Sequence, residues 1–150
     1  MISSWAVLLL GVNLAATWAM VGLVWFVQVV HYPLFTLVGG SRLVEYSAAN
    51  QRRTAWVVGP VMAIEAVATI MLVIDPPAAL GRALPVFGLL LLVAIYACTA
   101  TLQVPGHRAL LEGYDERRIR ALVAGNWIRT VMWSARGALG LAMVLMAIRA

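Results

Sequence analysis

Four apolar segments, each about as long as a membrane-spanning helix, dominate this chain of 150 residues. They lie near 5–30, 55–74, 83–103 and 130–148. A transmembrane helix needs about 20 predominantly apolar residues, whereas the strands of membrane barrels are shorter and alternate between apolar and polar residues. Because these segments are long and do not alternate, the sequence predicts an all-α integral membrane protein with four transmembrane helices in one domain, residues 1–150.

The composition supports a lipid bilayer as the surroundings of this chain. Hydrophobic residues make up 63% of it and charged residues only 11%, whereas soluble proteins carry roughly 25% charged residues. The charged residues are also clustered between the apolar segments, which leaves the segments themselves long enough to span the bilayer.

The arginines predict an orientation, because all eleven basic residues are arginine and most lie in or beside the first and third connections. Only Arg82 and Arg149 lie at the opposite side. The positive-inside rule then places those two connections in the cytoplasm and both termini outside, in a multi-pass protein of the bacterial inner membrane. Topology and contact with anionic lipid headgroups account for the net charge of +5, so no nucleic-acid partner is expected.

Two polar stretches, one beginning at His31 and the other at His107, align without a gap and share several polar residues at the same spacing. The matched pairs are His31 with His107, Arg42 with Arg118, Asn50 with Asn126, Arg53 with Arg129 and Thr54 with Thr130. This agreement predicts two tandem helical hairpins, one at about 1–75 and one at about 81–150. Each hairpin crosses the membrane twice, so the repeats would be parallel and related by a pseudo-twofold axis along the membrane normal, in an up-down four-helix bundle.

The polar residues of each predicted helix fall on one stripe when they are plotted at 100° per residue. Folding the hairpins at their turns places His31 opposite Asn50 and His107 opposite Asn126, whereas Tyr32 is expected to point away. Polar groups in hydrocarbon have to pair or line a cavity, so the sequence predicts one pseudo-symmetric polar site near the cytoplasmic interface. Its expected members are His31, His107, Asn50, Asn126, Gln28, Gln103, Arg53, Arg129 and Trp133, the last of which could stack on a flat ligand.

The candidate catalytic residues are His31, His107, Arg53 and Arg129. The histidines would act as axial ligands or as acid/base groups, the arginines would neutralise the negative charge of a ligand, and the asparagines would orient the histidines. Ordinary hydrogen-bonded interface residues are the alternative. The cofactor stays open: b-type haem held by two histidines is one candidate, whereas a non-haem metal would be short of ligands, so no metal site is predicted.

Deeper in the spans, Glu65 and Arg136 are expected to form an ion pair. Glu65 is the only acid inside a predicted span, and a charge at that depth costs several kcal/mol unless it is paired or hydrated. The sequence leaves open whether this pair is structural or functional.

Two short motifs carry a family resemblance. They are "NWIRT" at 126–130, which opens the last helix, and "QVVHYP" at 28–33. With them the chain resembles the anthrone-oxygenase-like family of small four-span bacterial membrane proteins, which have polar His and Asn or Arg residues near their helix ends. The resemblance implies cofactor-free or metal-light oxidation of a flat aromatic substrate, with His31, His107, Asn126 and Arg129 as the candidate site residues.

The function expected from these features is a membrane redox or oxygenase-like protein, a candidate oxidoreductase that holds a flat or anionic small molecule at the cytoplasmic interface. Two alternatives remain: a transporter or channel subunit that assembles with a second copy around a polar path, and a structural or assembly subunit of a larger membrane complex. No Walker A, GxGxxG, GxSxG or HExxH motif occurs, so nucleotide-driven transport and serine hydrolysis have no support.

Overall fold

A computed structural model of the protein describes residues 3–149, and over this range the chain is helical without any strand. Four helical spans are long and apolar enough to cross a membrane. They are the first span (Ser4–Leu37), the second (Leu43–Ile74), the third (Ala83–Glu112) and the fourth (Glu116–Arg149). The predicted all-helical class and the four apolar spans are confirmed. The spans extend beyond the apolar segments and include the polar residues that flank them.

Two of the four spans are continuous α-helices and two are interrupted by other helical turns. The elements in chain order are α1 (Ser4–Phe26), a π-helical turn (Val27–His31), a 3₁₀ turn (Pro33–Leu37), α2 (Leu43–Ile74), α3 (Ala83–Cys98), a second π-helical turn (Thr99–Gln103), α4 (Val104–Ala109), a 3₁₀ turn (Leu110–Glu112) and α5 (Glu116–Arg149). Ser3 caps α1, since its side-chain oxygen accepts a hydrogen bond from the Ala6 N–H at 3.2 Å.

A proline follows each π-helical turn and accounts for it. A proline ring clashes with the carbonyl four residues earlier, which disfavours a regular α-helical turn before it. Pro33 and Pro105 each directly follow the residue whose N–H donates the hydrogen bond that closes the π-helical turn. In the first span the Tyr32 N–H donates to the Val27 carbonyl at 2.9 Å, and in the third the Val104 N–H donates to the Thr99 carbonyl. Such turns are frequent at functional sites.

The π-helical turns do not share the spacing of the polar repeat. They begin at Val27 and Thr99, and these two residues are closer together in the sequence than His31 and His107. The separation between the two π-helical turns is about one helical turn shorter than the separation between the two histidines. When the two halves are aligned by their π-helical turns, His31 therefore matches Gln103 and not His107. The parallel pseudo-twofold repeat therefore stays a prediction.

The spans pack in a ring. The first and third spans each contact the second and the fourth, and lie diagonally across the bundle. Three buried clusters fill the interior, one toward Leu10 and Met143, one around Trp133, and one around Phe35 and Leu110. The outward faces remain apolar, with Trp56 79% exposed. This arrangement suits a bundle with lipid outside and polar contacts inside.

Candidate functional site

A cavity of about 390 Å³ lies between the four spans and contains most of the predicted site residues. It is lined by Leu23, Val24, Val27, His31, Tyr32, Asn50, Gln51, Thr54, Ala55, Val58, Thr99, Gln103, Val104, His107, Arg108, Asn126 and Arg129. Six of the nine predicted residues are among them. The lining includes two arginines and no carboxylate.

The predicted opposition of His31 and Asn50 is confirmed. The His31 Nε2 and Asn50 Oδ1 atoms are 2.9 Å apart, and the Thr54 hydroxyl donates to the same oxygen at 3.2 Å. Since an amide oxygen only accepts, this contact puts a proton on His31 Nε2. The His31 ring packs edge to face on Phe35, with 5.1 Å between ring centroids.

His107 has a different partner from the one predicted. Its Nε2 is 2.7 Å from the Tyr32 hydroxyl, and its backbone carbonyl accepts from the Gln51 side chain at 3.0 Å. The expected contact with Asn126 is not formed. Tyr32, which was expected to point away, is only 5% exposed. The π-helical turn before Tyr32 holds an extra residue and so rotates it inward; the proline that follows is the sequence signal for this.

Asn126 instead joins Gln28 to Arg129. The Asn126 amide donates to Gln28 Oε1 at 3.0 Å, and its own oxygen accepts from Arg129 Nη1 at 3.2 Å. Gln28 in turn donates to the Val123 carbonyl at 3.2 Å. Gln28 is buried behind the cavity and does not line it, so it supports Asn126 from the first span.

Arg129 is a buried cation. It is 7% exposed, its guanidinium lies 5.2 Å from the centroid of the Trp133 ring, and its Nε has no hydrogen-bond partner. Within residues 3–149 it forms no salt bridge. Arg129 therefore gives the cavity a positive charge that no acidic side chain balances.

Besides Gln28, two predicted site residues do not reach the cavity. Arg53 is exposed and outside the lining, because the inward face of α2 is centred near Asn50 and Gln51 and Arg53 falls well to one side of it. The expectation that Arg53 and Arg129 face one cavity is therefore wrong. Trp133 is fully buried beneath Arg129, where it packs against the guanidinium and does not line the cavity.

The two predicted glutamines also differ from each other. Gln28 has partners for both amide atoms, whereas Gln103 is 2% exposed and neither its Nε2 nor its Oε1 has a partner. Its Nε2 lies 3.4 Å from the position that a Cβ atom would occupy on Gly125. The amide therefore lies between the third and fourth spans. His107 Nδ1 is a further buried atom of the lining residues without a partner.

The predicted ion pair is confirmed deeper in the bundle. Arg136 Nε lies 2.7 Å from Glu65 Oε1, and both side chains are almost completely buried. Thr17 donates to the same Glu65 oxygen at 2.8 Å, and the Trp133 indole donates to the other at 3.3 Å. The remaining Arg136 nitrogens donate to the Thr69 hydroxyl and the Gly88 carbonyl. Every polar side-chain atom of Glu65 and Arg136 therefore has a partner, and the network holds the Trp133 indole below the cavity.

The histidines do not fit a haem bridged between them. The Nε2 atoms that would bind iron are engaged by Asn50 and Tyr32, and both rings pack edge to face on Phe35. Over the described range, no three His, Cys, Asp or Glu side chains are grouped closely enough to hold a metal ion.

The fold and the cavity together define a protein of four apolar helical spans around a cavity that holds a buried arginine. No family model, curated protein or solved structure matches the chain. Function therefore has to follow from the chemistry of the cavity.

Proposed function

We propose that this is an integral membrane protein of redox or oxygenase-like function that binds a flat small molecule in the cavity. The oxygen-bearing head of this molecule would be anionic, or become so during the reaction. The observation that carries the proposal is Arg129, a buried guanidinium among lining residues that include no carboxylate.

Arg129 carries a buried positive charge that no salt bridge balances within residues 3–149. A buried ion costs several kcal/mol unless it is paired and hydrogen-bonded. The other arginine buried in the described spans, Arg136, has the full set of partners that this rule requires, whereas Arg129 has Asn126, the face of Trp133 and the neighbouring Tyr32 hydroxyl, none of which carries a negative charge. An anionic ligand would complete the coordination of Arg129.

The Tyr32–His107 pair supports a chemical step on that ligand. A phenol and an imidazole in a 2.7 Å hydrogen bond can pass a proton between them. Taking a proton from an aromatic ligand leaves it more electron-rich and easier to oxidise. This role agrees with the flat aromatic substrate that the resemblance to the anthrone-oxygenase-like family implies.

A cavity-filling variant tests whether the ligand binds here. Val58 lines the cavity, and its neighbour Val57 is 59% exposed on the outer face. We expect Val58→Trp to block binding, whereas Val57→Trp should leave it intact. The measurement is the rise in melting temperature in detergent on adding aromatic carboxylates, phenols or quinones, because a ligand of the folded state stabilises it. If no compound raises the melting temperature of the wild type by more than it raises that of Val58→Trp, the proposal is wrong.

The orientation is a second part of the proposal. The arginine-rich connections would face the cytoplasm, with the cavity near them and both termini outside. Ser41 and Ala79 are exposed in connections at the two sides. In a Cys98→Ser background, an impermeant maleimide added to intact cells should label Ala79→Cys and not Ser41→Cys, and both should react after permeabilisation. Labelling of Ser41→Cys in intact cells would reverse the orientation.

A further inference from the structure

We infer that the ligand of this cavity is a hydroxyaryl carboxylate, an aromatic ring that carries one carboxylate and a hydroxyl group not adjacent to it. The inference rests on the proposed function and adds that two residues recognise the two groups separately. Arg129 would bind the carboxylate and Gln103 the hydroxyl.

The charge and geometry of Arg129 favour a carboxylate. Its Nη1 is engaged by Asn126 while its Nε is buried without a partner, so the edge of the guanidinium that carries Nε remains to be satisfied. Guanidinium edges bind planar pairs of oxygens, as in a carboxylate. One buried cation balances one negative charge, whereas a phosphate group would bring nearly two.

Gln103 adds a requirement that a carboxylate alone does not meet. Its amide nitrogen is a donor and its amide oxygen an acceptor, and both lack partners, so exchanging the two atoms by an amide flip changes nothing. A carboxylate can accept from the nitrogen but cannot donate to the oxygen. A ligand hydroxyl can donate, and it would satisfy the buried oxygen, which is costly to leave without a partner.

The rest of the lining favours a small aromatic body. Leu23, Val24 and Val27 from the first span and Val58 from the second provide aliphatic walls on the side away from the connections. A volume of about 390 Å³ is near the lower end for ligand pockets, which suits one or two rings. A hydroxyl next to the carboxylate would bond to it internally, so a meta or para arrangement leaves the hydroxyl free for Gln103.

Titration calorimetry of the full chain in detergent can separate the two recognised groups. The probes are benzoate, meta- and para-hydroxybenzoate, and the matching neutral hydroxybenzamides. At least one hydroxybenzoate should bind about three- to tenfold more tightly than benzoate, as expected for one neutral hydrogen bond. Each hydroxybenzamide should bind at least about tenfold more weakly than its acid, because it lacks the charge that meets Arg129.

Gln103→Leu should remove the preference for the hydroxyl while benzoate binds as before. Its melting temperature should not fall, since the amide it removes has no partner. Gln28→Leu is the matched control. It removes the hydrogen-bond partner of the Asn126 amide and of the Val123 carbonyl, so its melting temperature should fall while the preference for the hydroxyl stays.

Three results would overturn the inference: no gain from the hydroxyl, a gain that survives Gln103→Leu, or neutral amides that bind as tightly as the acids. Failure of all the carboxylates to bind also overturns it. If a phenol or quinone then binds in a manner that Val58→Trp abolishes, the proposed function stands and this assignment of the ligand alone is wrong.

Discussion

Glu65→Leu should lower the free energy of unfolding by about 3–5 kcal/mol, the usual cost of removing one partner from a buried ion pair. The substitution strands the Arg136 guanidinium, whose Nε lies 2.7 Å from the carboxylate. It also removes the acceptor of the Thr17 hydroxyl and of the Trp133 indole. The measurement is chemical or thermal unfolding in detergent.

The double variant Glu65→Leu/Arg136→Leu should be less destabilised than Glu65→Leu alone, because no buried charge is left unpaired. Glu116→Gln is the control, since it breaks an ion pair with Arg120 that is more than half exposed on both sides and should change stability by at most about 1 kcal/mol. Additive losses in the double variant would show that Glu65 and Arg136 are not energetically coupled.

Arg129→Gln should weaken the binding of benzoate by about tenfold or more, because a hydrogen bond to a charged group contributes roughly 1.5–3 kcal/mol. Arg53→Gln should leave the affinity unchanged, since Arg53 is exposed and outside the cavity. The two variants make the same chemical change at positions that the sequence repeat matches with each other, so each is the other's control. The measurement is the dissociation constant by titration calorimetry.

Equal weakening by both variants would restore the symmetric site that the sequence repeat predicts. An unchanged affinity in Arg129→Gln would mean that the cavity does not select its ligand by charge. Arg129→Lys refines the result: it keeps the charge but not the planar fork, so a loss of affinity in this variant as well would show that the guanidinium geometry matters.

Several features of the structure could be predicted from single residues and their spacing. The four spans follow from hydropathy, and the Glu65–Arg136 pair follows because two charges inside apolar helices have few possible partners. The His31–Asn50 contact follows from folding one hairpin at its turn, since both residues lie near that turn. Each of these predictions depends on local order along the chain.

Other features could not be predicted because they depend on how the backbone departs from a regular helix. Tyr32 reaches His107 only because a π-helical turn rotates it inward. His107 lies about one turn beyond the position that matches His31 in the backbone, so it contacts Tyr32 and not Asn126. A regular helical spacing cannot anticipate either result, although Pro33 and Pro105 mark where the irregular turns occur.

The sequence by itself determined that the chain forms four apolar helices with inward polar stripes, because hydropathy and helical spacing are properties of the order of residues. Only the tertiary structure decided which of those polar residues share a cavity. It brought Arg129, Gln103 and His107 together with unsatisfied polar atoms and left Arg53 outside. The physical reason is that a residue's partners depend on the rotation and depth of each helix against its neighbours, and an irregular turn of a few residues changes both.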